Sequence, residues 1–230
     1  MIAVITFAML GLLAGSFINW AADVAPRFAV DKSRVPDRLQ PRWQIASRAL
    51  PVARRLTLSA AVELLCAGLF AYIAARHGAT WPAAGRAALT AFFILIAVID
   101  LKYQLVLNVL IYPAGALVVL LQLSGPPAGW ISAVVGGAFG LIIFMAVAWL
   151  RPGELGGGDV KLAAFIGLLF GFPDALWALL VAVSAGGVAA VGLMKLRHQS
   201  AQARIPYAPF LCLGAVVALF YNPLIALFQL

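Results

Sequence analysis

Charge is what this sequence has least of. Asp, Glu, Lys and Arg make up 10% of its 230 residues, and only eight of these are acidic. A soluble domain carries about 25% charged and roughly 45–50% apolar residues. Here the apolar share is 64% and the mean hydropathy +1.03. An ordinary soluble domain and a disordered tail are both excluded. Cysteine is scarce too. Cys66 and Cys212 lie inside apolar stretches, so a disulfide scaffold is excluded and each is expected to pack as a small hydrophobe. The only histidines, His77 and His198, have no neighbouring ligand, and no Cys-x-x-Cys or His-Glu-x-x-His pattern exists. No metal site is expected. What remains is an all-α, polytopic integral membrane protein.

A spanning helix needs about 20 mainly apolar residues. Residues 1–22 carry no charge; residues 56–75 carry only Glu63; residues 87–99 end on Asp100. Residues 103–150 carry none, and at about 1.5 Å per residue they are too long for one crossing of a core about 30 Å thick. Ser124-Gly125-Pro126-Pro127 supplies the turn that splits them. Residues 159–172, 175–194 and 205–230 complete about eight transmembrane helices. The first stretch makes a poor signal peptide, because no Lys or Arg precedes it.

One long Arg- and Pro-rich loop, residues 23–55, holds eight of the 16 Lys and Arg residues: Arg27, Lys32, Arg34, Arg38, Arg42, Arg48, Arg54 and Arg55. With this loop cytoplasmic, Lys102, Arg151, Lys161, Lys195, Arg197 and Arg204 also fall inside, and only Arg76 and Arg86 outside. The positive-inside rule therefore puts the N-terminus outside. The net charge of +8 orients the spans and lies beside anionic lipid head groups. It does not call for a nucleic-acid partner.

Ionisable residues in or beside a span are costly and mark function by default. Asp100 closes the third span, and Asp159 opens the sixth within Gly156-Gly157-Gly158-Asp159-Val160-Lys161. Both fall at the cytoplasmic face on this topology, where two carboxylates that meet form an acid–base dyad sharing one proton. A helix N-terminus favours the charged form of Asp159, and a helix C-terminus the protonated form of Asp100. Gly156, Gly157 and Gly158 either let the backbone approach an extended substrate peptide or form a flexible turn between helices. Lys161 either holds a carboxylate ionised, binds anionic lipid or snorkels to the interface. Glu63 is either a functional carboxylate or a structural one paired with a cation or with Asn19.

These residues, taken in order, resemble the prepilin peptidases, or type IV leader peptidases. Gly15-Ser16-Phe17-Ile18-Asn19, Val62-Glu63-Leu64-Leu65, Ile99-Asp100-Leu101, Gly156 to Leu162 with its Gly-x-Gly-Asp-x-Lys pattern, and Ile205-Pro206-Tyr207-Ala208-Pro209-Phe210 are similar to family segments. The resemblance implies a membrane aspartic endopeptidase with Asp100 and Asp159 catalytic. It would remove the basic leader of type IV prepilins or type II secretion pseudopilins after a Gly, at the cytoplasmic face of the bacterial inner membrane. It implies no cofactor for the peptidase step, and S-adenosylmethionine only if a second, N-methyltransferase activity is retained.

The sequence departs from the family in three places. The first loop lacks the family's zinc-binding cysteine pairs and reads Ala25-Pro26-Arg27, and Leu105-Val106-Leu107-Asn108 keeps Asn108 but not the family's Pro. Two regions are expected: 1–86, with the first two helices and the basic loop, and a peptidase core over 87–230. The competing readings are a proton-coupled secondary transporter, which no internal repeat favours, and a non-catalytic membrane assembly subunit.

Overall fold

The computed structural model describes residues 1–29, 52–150, 155–197 and 206–223. The greater part of the basic loop, with Lys32, Arg34, Arg38, Arg42 and Arg48, lies outside the described residues. Among those described there is no strand, and the elements are α1 (Ile2–Ala29), α2 (Val52–His77), α3 (Trp81–Tyr103), α4 (Asn108–Leu123), α5 (Pro127–Leu150), α6 (Gly157–Phe170), α7 (Asp174–Arg197) and α8 (Ala208–Phe220). Five of them, α1, α2, α3, α5 and α7, are long and apolar enough to cross a membrane, whereas α4 and α8 are shorter apolar helices. Large side chains such as Leu13, Leu64, Leu121 and Ile142 are more than half exposed. In water that surface would drive aggregation; against lipid it costs nothing. The protein is an all-α, polytopic membrane protein.

Several helices outrun the apolar windows that suggest them. α1 continues past Asp23 and through Pro26 to Ala29. Asp23 does not stop it, because its carboxylate is met by Lys102 and Tyr103. α3 begins at Trp81, well before the apolar window at 87. Thr80 caps it by accepting the Ala83 N–H, and Pro82 occupies the first turn, where a missing N–H does no harm. A charge such as Arg86 ends a hydropathy window without ending a helix. The long uncharged stretch does break where its turn residues stand, between Leu123 and Pro127.

The chain packs as two compact units, residues 1–104 and 105–230. In the first, α1, α2 and α3 contact one another. Gly11, Gly15 and Asn19 lie four residues apart, hence on one face of α1. A Cβ on Gly11 would lie 2.6 Å from the Cys66 carbonyl, and one on Gly15 2.5 Å from the Glu63 Cα. Next along the same face, the Asn19 amide donates to the Ser59 carbonyl at 3.1 Å. This is small-residue helix packing of the kind lipid favours, since apolar side chains gain little by leaving lipid for each other. Ile73, Phe93, Ile96 and Ile99 fill the interior of this unit.

In the second unit α6 is central, touching α4, α5, α7 and α8. Gly136 and Gly140 of α5 meet the backbone of α6 directly, at Gly167 and Ala163. Gly214 of α8 seats against Ala178 and Ala182 of α7. Leu162, Ile166 and Leu211 are completely buried between these elements. The helix that carries Asp159 is therefore the most enclosed one of its unit.

Candidate active site

Asp100 and Asp159 are both buried, at 5% and 9% exposure. They belong to different units, Asp100 to 1–104 and Asp159 to 105–230. Each environment is set by its own unit.

Asp100 stands in the last turn of α3. That turn is closed by Gln104, whose backbone is left-handed (φ 53°, ψ 43°) and whose N–H donates to the Asp100 carbonyl at 2.7 Å. The two residues before Gln104 both reach α1. Lys102 Nζ donates to Asp23 Oδ1 at 2.9 Å, and the Tyr103 hydroxyl donates to the same oxygen at 3.3 Å.

Asp159 is the third residue of α6. Its Oδ2 accepts the backbone N–H of Gly156 at 3.2 Å. This is one half of a capping box; the other half is missing because Gly156 has no side chain. The carboxylate thus satisfies a donor that the helix start would otherwise leave open. Tyr207, just before α8, lies within electrostatic range of Asp159. Its ring packs against Phe144 and Phe210, with centroids 5.9 and 6.2 Å away. A Cβ on Gly186 would come within 3.0 Å of that ring. Tyr207 stands in the family-like segment 205–210, but nothing in its local sequence ties it to a residue so far upstream.

Lys161 does not turn toward Asp159. Residues two apart on a helix face opposite sides, and the Lys161 ammonium donates to Asn108 Oδ1 at 3.0 Å, with its charge 5.3 Å from the centre of the Tyr112 ring. Asn108 and Tyr112 lie one turn apart on α4. The structure thus brings Asn108 and Lys161 together as a strap between α4 and α6. Glu63 sits mid-helix on α2, half-buried, over the Gly15 contact. The Asn19 side chain donates to the Ser59 carbonyl, one turn away from Glu63.

The three glycines before Asp159 differ in purpose. None has a positive φ, so the left-handed freedom of glycine is not used here. A Cβ on Gly157 would meet nothing within 4 Å, whereas one on Gly158 would fall 2.7 Å from the Val106 Cβ. Gly157, the first residue of the helix, gains little from helix propensity, so Gly157→Ala is expected to fold with close to wild-type stability. Gly158→Ala should cost about 1–3 kcal/mol, the usual penalty for overpacking, and Val106→Gly should restore it. Thermal unfolding of the detergent-solubilised chain measures both. Equal stability of the two alanine variants would contradict the contact.

Among the described residues no group of three or more His, Cys, Asp or Glu is placed to hold a metal ion. An apolar groove along α5, lined by Leu141, Ile142, Met145, Ala146 and Trp149, offers no side-chain hydrogen-bonding group beyond the Trp149 indole N–H to bind ribose hydroxyls or an amino-acid head. It does not fit S-adenosylmethionine.

Residues 87–191 match the sequence profile of the Type IV leader peptidase family. That stretch contains both aspartates. A prepilin leader peptidase/N-methyltransferase of Pseudomonas aeruginosa is 27% identical, with 93% of this chain and 89% of that protein covered. One from Bacillus subtilis is 26% identical, with 74% and 68% covered, and one from Neisseria gonorrhoeae 29% identical, with 82% and 81% covered. No solved structure matches the chain significantly. Residues 87–191 are thus similar to the type IV leader peptidase family, and the relatives that the chain matches are named as peptidases.

Proposed function

We propose that this protein is a type IV leader peptidase, acting as a membrane aspartic endopeptidase. It removes the basic leader of type IV prepilins or type II secretion pseudopilins after a Gly, at the cytoplasmic face of the bacterial inner membrane. The observation that carries the reading is that the family match over 87–191 includes both Asp100 and Asp159, and that both are buried carboxylates in a chain with only eight acidic residues. Burying such groups in or near lipid is expensive, and structure alone gives little reason to keep them there.

In this mechanism Asp159 is ionised and Asp100 protonated. A helix N-terminus and the Gly156 N–H favour charge at Asp159, and the carbonyl end of α3 favours a proton on Asp100. Asp159 takes a proton from water as the hydroxyl adds to the scissile carbonyl carbon. Asp100 gives its proton to the carbonyl oxygen. As the C–N bond breaks, Asp159 passes its proton to the leaving nitrogen, and Asp100 recovers one from the diol. The pair ends as it began, with one proton between two carboxylates.

The peptidase core is assigned to residues 87–230, with 1–86 supplying the first two helices and the basic loop. Lys161 and Asn108 support the start of α6, and Glu63 supports the α1–α2 contact. Gly156, Gly157 and Gly158 present backbone where an extended substrate would pair. The N-terminus is outside, and the basic loop lies against cytoplasmic lipid head groups. S-adenosylmethionine enters only if the methyl transfer named for the relatives is retained.

The test is leader removal. Membranes containing the wild-type chain should trim at least one member of a panel of type IV prepilins and pseudopilins, releasing a mature N-terminus immediately after the glycine. A folded chain that trims none of them overturns the reading.

A further inference from the structure

We propose that Asp23, at the far end of α1, is a positioning residue for Asp100. This rests on the reading of Asp100 as catalytic. The turn that carries Asp100 ends in Gln104, held in a left-handed conformation that is unfavourable for any residue but glycine or asparagine. Such an end persists only when its surroundings hold it. Two contacts from α1 help to hold it. A single oxygen, Asp23 Oδ1, receives the Lys102 ammonium at 2.9 Å and the Tyr103 hydroxyl at 3.3 Å.

The geometry shows what this tether does. Lys102 is two residues past Asp100, so the two side chains point to opposite sides of α3. Pulling Lys102 and Tyr103 onto α1 fixes the rotation of the last turn and keeps the Asp100 carboxylate on its buried side. With Asp100 on the side away from Lys102, the ammonium does not hold that carboxylate ionised, and the proton the reaction needs is kept. Asp159 has a parallel arrangement: it too is followed at the second position by a lysine, and Lys161 is tied to Asn108. Asp23 acts through the turn and touches neither substrate nor water in the reaction.

The ion pair is partly open to solvent, with Lys102 at 26% and Asp23 at 55% exposure, so its effect is bounded by what exposed pairs carry. Asp23→Ala should lower kcat for leader cleavage about fivefold with KM unchanged, the rate change that an exposed pair of typical strength can produce. The full chain in detergent micelles would be assayed with a prepilin that the wild type trims. Hydrogen exchange of the amides of residues 101–104 would be followed in parallel, and should be faster in Asp23→Ala. The swapped pair Asp23→Lys with Lys102→Asp should recover both readouts, and Asp23→Glu should keep them.

Unchanged exchange in Asp23→Ala overturns the tether. So does a change in KM alone, which would mean that Asp23 binds the leader instead. If the wild type trims no prepilin, the proposed function falls, and the exchange measurement still decides whether Asp23 holds the turn.

Discussion

Asp159→Asn should reduce kcat/KM for leader cleavage by at least about 10³-fold, in the upper part of the range for losing a general acid–base group, while the protein stays folded. The substitution separates chemistry from structure with unusual cleanness. An asparagine oxygen can still accept the Gly156 N–H that Asp159 Oδ2 takes now at 3.2 Å, so the start of α6 keeps its cap. What disappears is the ability to take a proton from water. Asp100→Asn should cost a similar factor, because the amide cannot give a proton to the carbonyl oxygen and recover it. On the proposed mechanism the double variant should be no slower than either single one, because loss of either carboxylate already disables the pair. Leader cleavage followed by N-terminal sequencing, with circular dichroism as the folding control, reads all three. Residual activity within tenfold of wild type in either folded variant would remove that carboxylate from the mechanism.

The parts of this assignment legible from the sequence share a physical origin. A carboxylate in an apolar chain is conspicuous because its cost is high, and Asp100 and Asp159 stood out on that ground. The break at residues 124–126 was legible because Gly and Pro act locally. Helix ends were less legible. Hydropathy reports where lipid would be, and α1 passes through Asp23 because a partner for that carboxylate arrives from α3, far along the chain. The partner of Lys161 was hidden for the same reason: the hydrogen bond to Asn108 spans 53 residues. The glycines at helix contacts are legible only by their spacing. Gly11 and Gly15, and likewise Gly136 and Gly140, stand four apart, a spacing that signals close helix contact in membranes. Of the Gly run before Asp159 only Gly158 is needed for a close approach, and the approach is to Val106 of this chain.

Gly167→Ala should be the most damaging single methyl in the second unit. A Cβ there would press on the carbonyl group of Gly136, and a Cβ on Gly136 would press on the Gly167 carbonyl in turn. Both obstacles are backbone, which cannot rotate aside as a side chain can, so α5 and α6 must separate along their whole contact. Overpacking usually costs about 1–3 kcal/mol; with backbone on both sides the loss should be at least about 3 kcal/mol, a value reserved for a few disruptive mechanisms. The consequence is also catalytic, because α6 carries Asp159 and any shift of the helix moves the carboxylate. Gly187→Ala is the matched control. It too is a glycine within a helix, but a Cβ there would meet nothing within 4 Å. Removing backbone freedom without a clash should stabilise it by about 0.5–1 kcal/mol. Thermal unfolding and leader cleavage of the two variants should therefore move in opposite directions for stability, with cleavage lost only in Gly167→Ala. If both alanines behave alike, the close α5–α6 contact is not what holds Asp159 in place.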